Sequence, residues 1–314
     1  MPASYARRVD FAKLLFPDFS LILCGWLVCR FTALNRAVWQ QAEALVYYFL
    51  FPVLLFQSIV RSPLDVQAAS GLIAGGVLMG LAGIGLAYVL PVVPGLAQHI
   101  DRHDHAASAQ VAFRFNSFIA LAIVDRVAGP QGLQLIAVLI GFCVPMFNIA
   151  AVWPMARRSG AGFGAELLRN PLIIATASGL AANLAGLAIP DWLEPTVTRI
   201  GAAAIALGLL AAGAGMQLSS LAKGKALAAA VLLIRHLLLP VIAWVLARLL
   251  RLDPAQTTVL LVFAAMPTAS SCYVLAARMG YNGPFVAALV TLSTLSAMAS
   301  LPFALGVLAP LRGG

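Results

Sequence analysis

The stretch with the most chemistry in it is Phe113-Arg-Phe-Asn-Ser117, which sets an arginine, an amide and a hydroxyl inside an otherwise apolar run. An arginine near the middle of an isolated membrane helix costs roughly 2.5–3.5 kcal/mol on insertion scales. Arg114 therefore either serves a purpose inside the protein or snorkels to an interface. Asn116 and Ser117 follow at once, and the three-residue spacing of Arg114 and Ser117 would put them on one helix face. Guanidinium, amide and hydroxyl together form a positive, hydrogen-bonding surface that suits an anionic solute. The plainer alternative is a topological or structural arginine.

A second polar interruption is Met266-Pro-Thr-Ala-Ser-Ser271. Pro267 lacks an amide hydrogen and clashes with the preceding turn, so a helix must kink or open there. Opening frees backbone groups that need partners in a membrane. Thr268, Ser270 and Ser271 can supply some, and so can a bound solute. The bland reading is a bent packing helix with hydroxyls bonded to their own backbone. Asn148 stands in a third apolar run, where its amide is expensive to leave unpaired; it either bonds across to the Arg114 segment or lines the same site. Arg235 and His236 lie about ten residues into a further run. They are candidates for a coupling charge, a proton route or a structural charge pair. The hydroxyls Thr291, Ser293, Thr294 and Ser296 suit close helix contact.

Other chemistries find little support. The loop Gln98 to His105 carries three histidines and two aspartates but no recognised zinc spacing, and reads as a solvated loop. Cys24, Cys29, Cys143 and Cys272 read as small hydrophobes. Six glycines between Gly71 and Gly85 lack the lysine and hydroxyl of a phosphate-binding loop. No Ser-His-Asp or paired-carboxylate arrangement is present, so no enzyme is expected. No Asp or Glu is placed deep in a span, which argues against a carboxylate proton relay.

The surrounding composition says what must position these groups. The 314 residues are 62% hydrophobic and only 10% charged, against about 25% charged in soluble domains. The net charge of +9 sits in short loops between apolar runs, as in membrane proteins, and does not point to nucleic acid. Spanning helices need about 20 mainly apolar residues. Ten runs are candidates: Leu14–Cys29, Ala42–Val60, Ser70–Leu90, Ala107–Val124, Gly132–Val152, Leu167–Leu187, Leu193–Met216, Ala226–Leu249, Gln256–Ala277 and Pro284–Leu308. The first is expected to begin near Phe11 and to tolerate Pro17, rather than to be a signal peptide. Pro17 and Gly25 are echoed by Pro171 and Gly179, and Ala112–Gly129 by Phe263–Gly280. The expectation is therefore an all-α membrane protein of two inverted five-helix repeats, residues 1–152 and 167–314, joined by a short loop at 153–166. Basic residues divide almost evenly between the two sides. With Arg7, Arg8 and Lys13 set aside, they favour termini outside the cytoplasm.

In order along the chain, Phe51-Pro-Val-Leu-Leu-Phe56, Phe113-Arg-Phe-Asn116, Val144-Pro-Met-Phe-Asn148, Asn170-Pro-Leu-Ile-Ile174, Gly213-Ala-Gly-Met216, Met266-Pro-Thr-Ala269, Leu292-Ser-Thr294 and Leu301-Pro-Phe303 resemble the bacterial members of the auxin efflux carrier family, whose plant relatives export auxin. The resemblance implies broken fourth and ninth spans that cross at a solute site, as in bile-acid transporters and sodium-proton antiporters. It implies an elevator-like carrier with a scaffold of spans 1, 2, 6 and 7 that also makes a dimer contact. Spans 3–5 and 8–10 would move. Many relatives have a proline in the span-four break; here Asn116 and Ser117 stand in its place, and their side chains would have to support the opening. The function so implied is secondary transport of a small organic anion, a carboxylate, in the bacterial inner membrane, with membrane lipids and a second copy of the chain as partners. The substrate contacts would come from Arg114, Asn116, Ser117, Asn148, Pro267, Thr268, Ser270 and Ser271. No cofactor is expected, and sodium or proton coupling is left open. The alternative is a membrane sensor that binds a solute without sustained transport.

Overall fold

A computed structural model describes residues 11–61, 70–156, 171–215, 224–269 and 271–308. All regular structure among them is helical. Helix α1 spans Phe11–Phe31 and carries Pro17 within it, as expected of a first helix beginning near Phe11. Helices α2 (Arg36–Leu45) and α3 (Phe51–Val60) are joined by a π turn at Val46–Leu50. Then follow α4 (Ser70–Val89), α5 (Arg102–Phe113) and α6 (Ser117–Ala156), the last kinked at Gly129 (φ 61°). The second half contains α7 (Pro171–Leu184), α8 (Glu194–Ala214), α9 (Lys225–Leu233) and α10 (Leu239–Leu249). A π turn at Ile234–Leu238 links α9 to α10. Helices α11 (Pro254–Ala265), α12 (Ser271–Arg278) and α13 (Gly283–Pro302) complete it.

Local chemistry fixes several of these starts. Asn35, Asp101, Asp253 and Asn282 each accept amide hydrogens from the first turn of α2, α5, α11 and α13, which satisfies donors that a helix start leaves open. Pro254 and Pro284 sit at first-turn positions where a missing amide hydrogen costs nothing. The loop before α5 is thus a helix cap. The stretch read as a loop to His105 ends inside α5, where His105 is buried with its ring bonded to the Ala87 carbonyl at 2.8 Å.

The expectation of ten full spans in two inverted five-helix repeats is corrected by the structure. Among the described residues five helices are long and apolar enough to cross a membrane: Ser70–Val92, Val138–Ala156, Glu194–Ala211, Lys225–Leu249 and Gly283–Leu308. The other runs fall short for identifiable reasons. Ala107–Val124 is cut after Phe113 and Gln256–Ala277 after Ala265, leaving α5 and α11 with 12 residues each and α12 with 8. In α1, Lys13, Pro17 and Asp18 interrupt the run before the apolar stretch Ser20–Phe31. The helix entering Ala42–Val60 opens on the polar turns of α2. Helix α7 is 14 residues long, and the run assigned to it begins at residues outside those described. What stands is an all-α, multi-pass helical bundle.

The helices pack in two groups. Helix α1 lies along α8, and α3 lies along α7 and α8. In the other group α4 packs on α5, α6 and α10; α11 packs on α6 and α10; and α13 packs on α12 and α5. Small residues set the closest approaches. A Cβ on Gly25 would overlap the Leu210 carbonyl, and one on Gly213 the Ile22 carbonyl, so α1 and α8 meet backbone to backbone. On α4, Gly76, Gly80 and Gly83 instead make room for the side chains of Leu139, Phe147 and Phe113. The outer faces carry Leu78, Leu81, Leu233, Val241, Val245 and Leu249 exposed, which suits contact with hydrocarbon.

Candidate functional site

The two interruptions in the second group are real chain breaks, and they meet. Helix α5 stops at Phe113, and Arg114 is extended (φ −73°, ψ 151°). Helix α11 stops at Ala265, and Met266 is extended (φ −61°, ψ 149°). The Asn116 amide donates to the Pro267 carbonyl at 2.9 Å, so an orphan donor of one break is satisfied by an orphan acceptor of the other. Asn116 Oδ1 also accepts from the Ile119 amide at 3.2 Å and caps α6, the supporting role anticipated for a break without proline. Around the junction Phe113, Phe115, Phe147 and Phe263 form an aromatic cluster, with Phe115 and Phe263 centroids 4.3 Å apart.

A cavity of about 580 Å³, counting its open side, lies beside this junction. Its polar wall is Arg114, Asn116, Ser117, Asn148 and Ser271. Its apolar wall is Phe51, Leu54, Leu55, Phe115, Val144 and Phe147. The guanidinium of Arg114, only 5% exposed, donates to Gln110 Oε1 at 2.9 Å, Asn148 Oδ1 at 3.1 Å and Ser271 Oγ at 2.7 Å. All three acceptors are neutral, and among the described residues no carboxylate lies within ion-pair distance of it. A buried cation held only by neutral dipoles leaves a positive potential beside the cavity.

The other sequence candidates fall elsewhere. Arg114 and Ser117 do not share a helix face: the break separates them, with Arg114 after α5 and Ser117 opening α6, although both reach the cavity. Pro267 contributes its carbonyl to Asn116 and is not in the cavity wall. Thr268 is buried and turned away, its amide bonded to Ser293 Oγ at 2.9 Å and its hydroxyl beside Cys272. Ser270 lies outside the described residues. Arg235 and His236 line the back of the second break and not the cavity. Arg235 is 1% exposed and donates to the carbonyls of Met266 at 2.7 Å and Phe263 at 3.0 Å. His236 bridges Ser293 at 2.8 Å and Ser300 at 3.0 Å.

Sequence reading missed three features. Gln110, one turn before Arg114, orients the guanidinium; the i, i+4 spacing was the available signal. The apolar wall from α3 lies in the Phe51–Phe56 landmark, but nothing local marked Phe51, Leu54 and Leu55 as part of the site, since their place there depends on packing between distant segments. Glu43, 3% exposed, takes hydrogen bonds from Tyr273 on α12 and from Arg36, so a buried carboxylate does exist within a helix entering the bundle.

Residues 153–305 match the profile of the Membrane transport protein family. A "Putative malonate transporter" of Rhizobium meliloti (strain 1021) is 22% identical over 328 residues, an alignment that takes in 97% of this chain and 97% of that protein.

Proposed function

Because the chain belongs to the membrane transport protein family, that of the auxin-efflux-carrier-like transporters, and is a multi-pass protein of the bacterial inner membrane rather than an enzyme, we propose that it is a secondary transporter for a small organic anion, a carboxylate, bound at the junction of the two chain breaks. The observation that carries this reading is Arg114: a cation buried at the cavity wall whose hydrogen-bond partners are neutral. An incoming carboxylate would supply the missing charge. Asn116, Ser117 and Ser271 stand around it as further polar groups, and the apolar wall would take the remainder of the solute. The relative's printed name makes malonate the first anion to test.

The movement we propose is elevator-like. The group of α1, α2, α3, α7 and α8 stays fixed, and the group of α4–α6 and α9–α13, which carries both breaks and the polar wall, slides against it. Its support is the division of helix packing into those two groups. The same reading places the termini in the periplasm and pairs two copies through the fixed group.

Purified protein in liposomes tests the reading by uptake of labelled malonate and of monocarboxylates under imposed voltage. Arg114→Gln keeps hydrogen bonding and removes the charge; it is expected to lower anion uptake by at least tenfold (~1.4 kcal/mol) in a folded protein. Saturable binding with no flux in the parent would show a sensor instead. Unchanged affinity in Arg114→Gln across several salt concentrations would remove the anion site from this place.

A further inference from the structure

Arg235 does something different from Arg114. It emerges from the π turn between α9 and α10, which re-aims side chains relative to a regular helix, and it is the largest fully buried side chain among the described residues. Its Nε and Nη2 are spent on backbone carbonyls, Met266 and Phe263. Those carbonyls belong to the last turn of α11 and the residue after it, where a helix leaves oxygens unpaired and its dipole negative. A third carbonyl there, Ala265, accepts from Ser300 Oγ at 2.9 Å.

Hydrogen-bond bookkeeping extends the arrangement to His236. Ser300 donates its one proton to Ala265, so toward His236 it can only accept, and Nδ1 carries the ring proton. Nε2 is then an acceptor for the Ser293 hydroxyl, whose oxygen in turn accepts the Thr268 amide. Every group in this chain is satisfied with a neutral imidazole. On the α11 side of the break, away from Arg114, the charge on these carbonyls therefore rests on Arg235, and among the described residues no carboxylate ion-pairs with it.

In carriers built around broken helices, the unpaired carbonyls of a half-helix C-terminus are where a coupling cation binds. Here that place is filled by a guanidinium belonging to the chain. We propose that Arg235 is a tethered cation that takes the position of a dissolved coupling ion at the α11 break, so that this carrier needs no sodium there. The inference rests on the transport reading above.

The test compares uptake by proteoliposomes in sodium and in choline media, for the parent and for Arg235→Ala, with and without millimolar guanidinium. The parent is expected to be indifferent to sodium. Arg235→Ala should lose uptake by roughly ten- to a hundredfold and recover part of it with guanidinium or sodium. A parent that requires sodium, a variant as active as the parent without any added cation, or a folded variant that no cation restores would each overturn the proposal. If Arg235→Ala does not fold, Arg235→Lys keeps the charge and takes its place: sodium-independent uptake supports a tethered cation, and uptake that is lost or becomes sodium-dependent overturns it. Thermal unfolding in detergent separates the two readings. If the parent carries no anion, the transport reading fails, while a Tm that rises with millimolar guanidinium in Arg235→Ala but not in the parent still supports the cation role, and its absence refutes it.

Discussion

Asn148 holds one side of the guanidinium that gives the cavity its charge, through an Oδ1–Nη2 contact of 3.1 Å, and it is itself 2% exposed. That geometry makes its substitution by aspartate more informative than its removal. In Asn148→Asp a carboxylate of the same shape sits on Arg114 and neutralises it from within, competing with any incoming anion. The expected outcome is a protein at least as resistant to heat as the parent, with anion uptake reduced at least tenfold (~1.4 kcal/mol). Asn148→Leu should behave oppositely in stability, since a guanidinium hydrogen left without its acceptor costs ~1–3 kcal/mol. Uptake kinetics and Tm on the two proteins decide it; an Asn148→Asp variant with parental uptake would mean that Arg114 does not meet the solute. Single residues of this kind were readable in advance because a polar group in a long apolar run is conspicuous: Arg114, Asn116, Ser117, Asn148 and Ser271 all reach the cavity. Glu43 was not, because it stands where a polar helical start becomes apolar and looks like an ordinary boundary charge. Its burial is imposed by Tyr273, 230 positions away.

Hydropathy alone does not register a break in the chain, and this is why the elements were less legible than the residues. Ala107–Val124 and Gln256–Ala277 are each apolar enough on average to read as one span, yet each is two helices. Pro267 announced the second break, while the first rests on Asn116 acting as the cap of α6. The π turn at Arg235 is marked in the sequence only by Pro240 just after it, which removes a hydrogen bond from the run. Close helix contact was better signalled, by glycine, and it yields a graded prediction. Gly213→Val drives a branched side chain into the Ile22 backbone and should cost ~1–3 kcal/mol, as overpacking does. Gly85→Ala, on α4 with no atom near its would-be Cβ, should gain up to ~1 kcal/mol from helix propensity. Thermal unfolding in one detergent ranks the two variants. Equal stability would mean that α1 and α8 do not meet through this glycine.

At the scale of the whole molecule, polar contacts between the two packing groups gather, among the described residues, where α2 meets α12. Tyr273 donates to Glu43, Arg36 bridges to the same carboxylate, and Arg278 donates to the Gln40 carbonyl at 2.7 Å. A sliding movement of one group past the other must break the Tyr273–Glu43 and Arg278–Gln40 bonds, since they fix α12, the helix just after the second break, to α2, whereas Arg36 and Glu43 stay together on α2. Each involves a charged group and is replaceable by water at a cost of about 1.5–3 kcal/mol net, small enough for a latch that opens in each cycle. Cysteines introduced at Gln40 and Arg278, with the four native cysteines replaced by serine, should therefore be joined by a short bifunctional thiol reagent with loss of uptake. A cleavable reagent should return uptake when reduced. A solute held at the cavity would remain bound in the joined protein, because the link is at the opposite end of α12 from Ser271, a partner of Arg114. Full uptake by quantitatively joined protein would mean that the two groups do not move against each other at this contact, and the elevator-like movement would have to be abandoned in favour of opening within the second group alone.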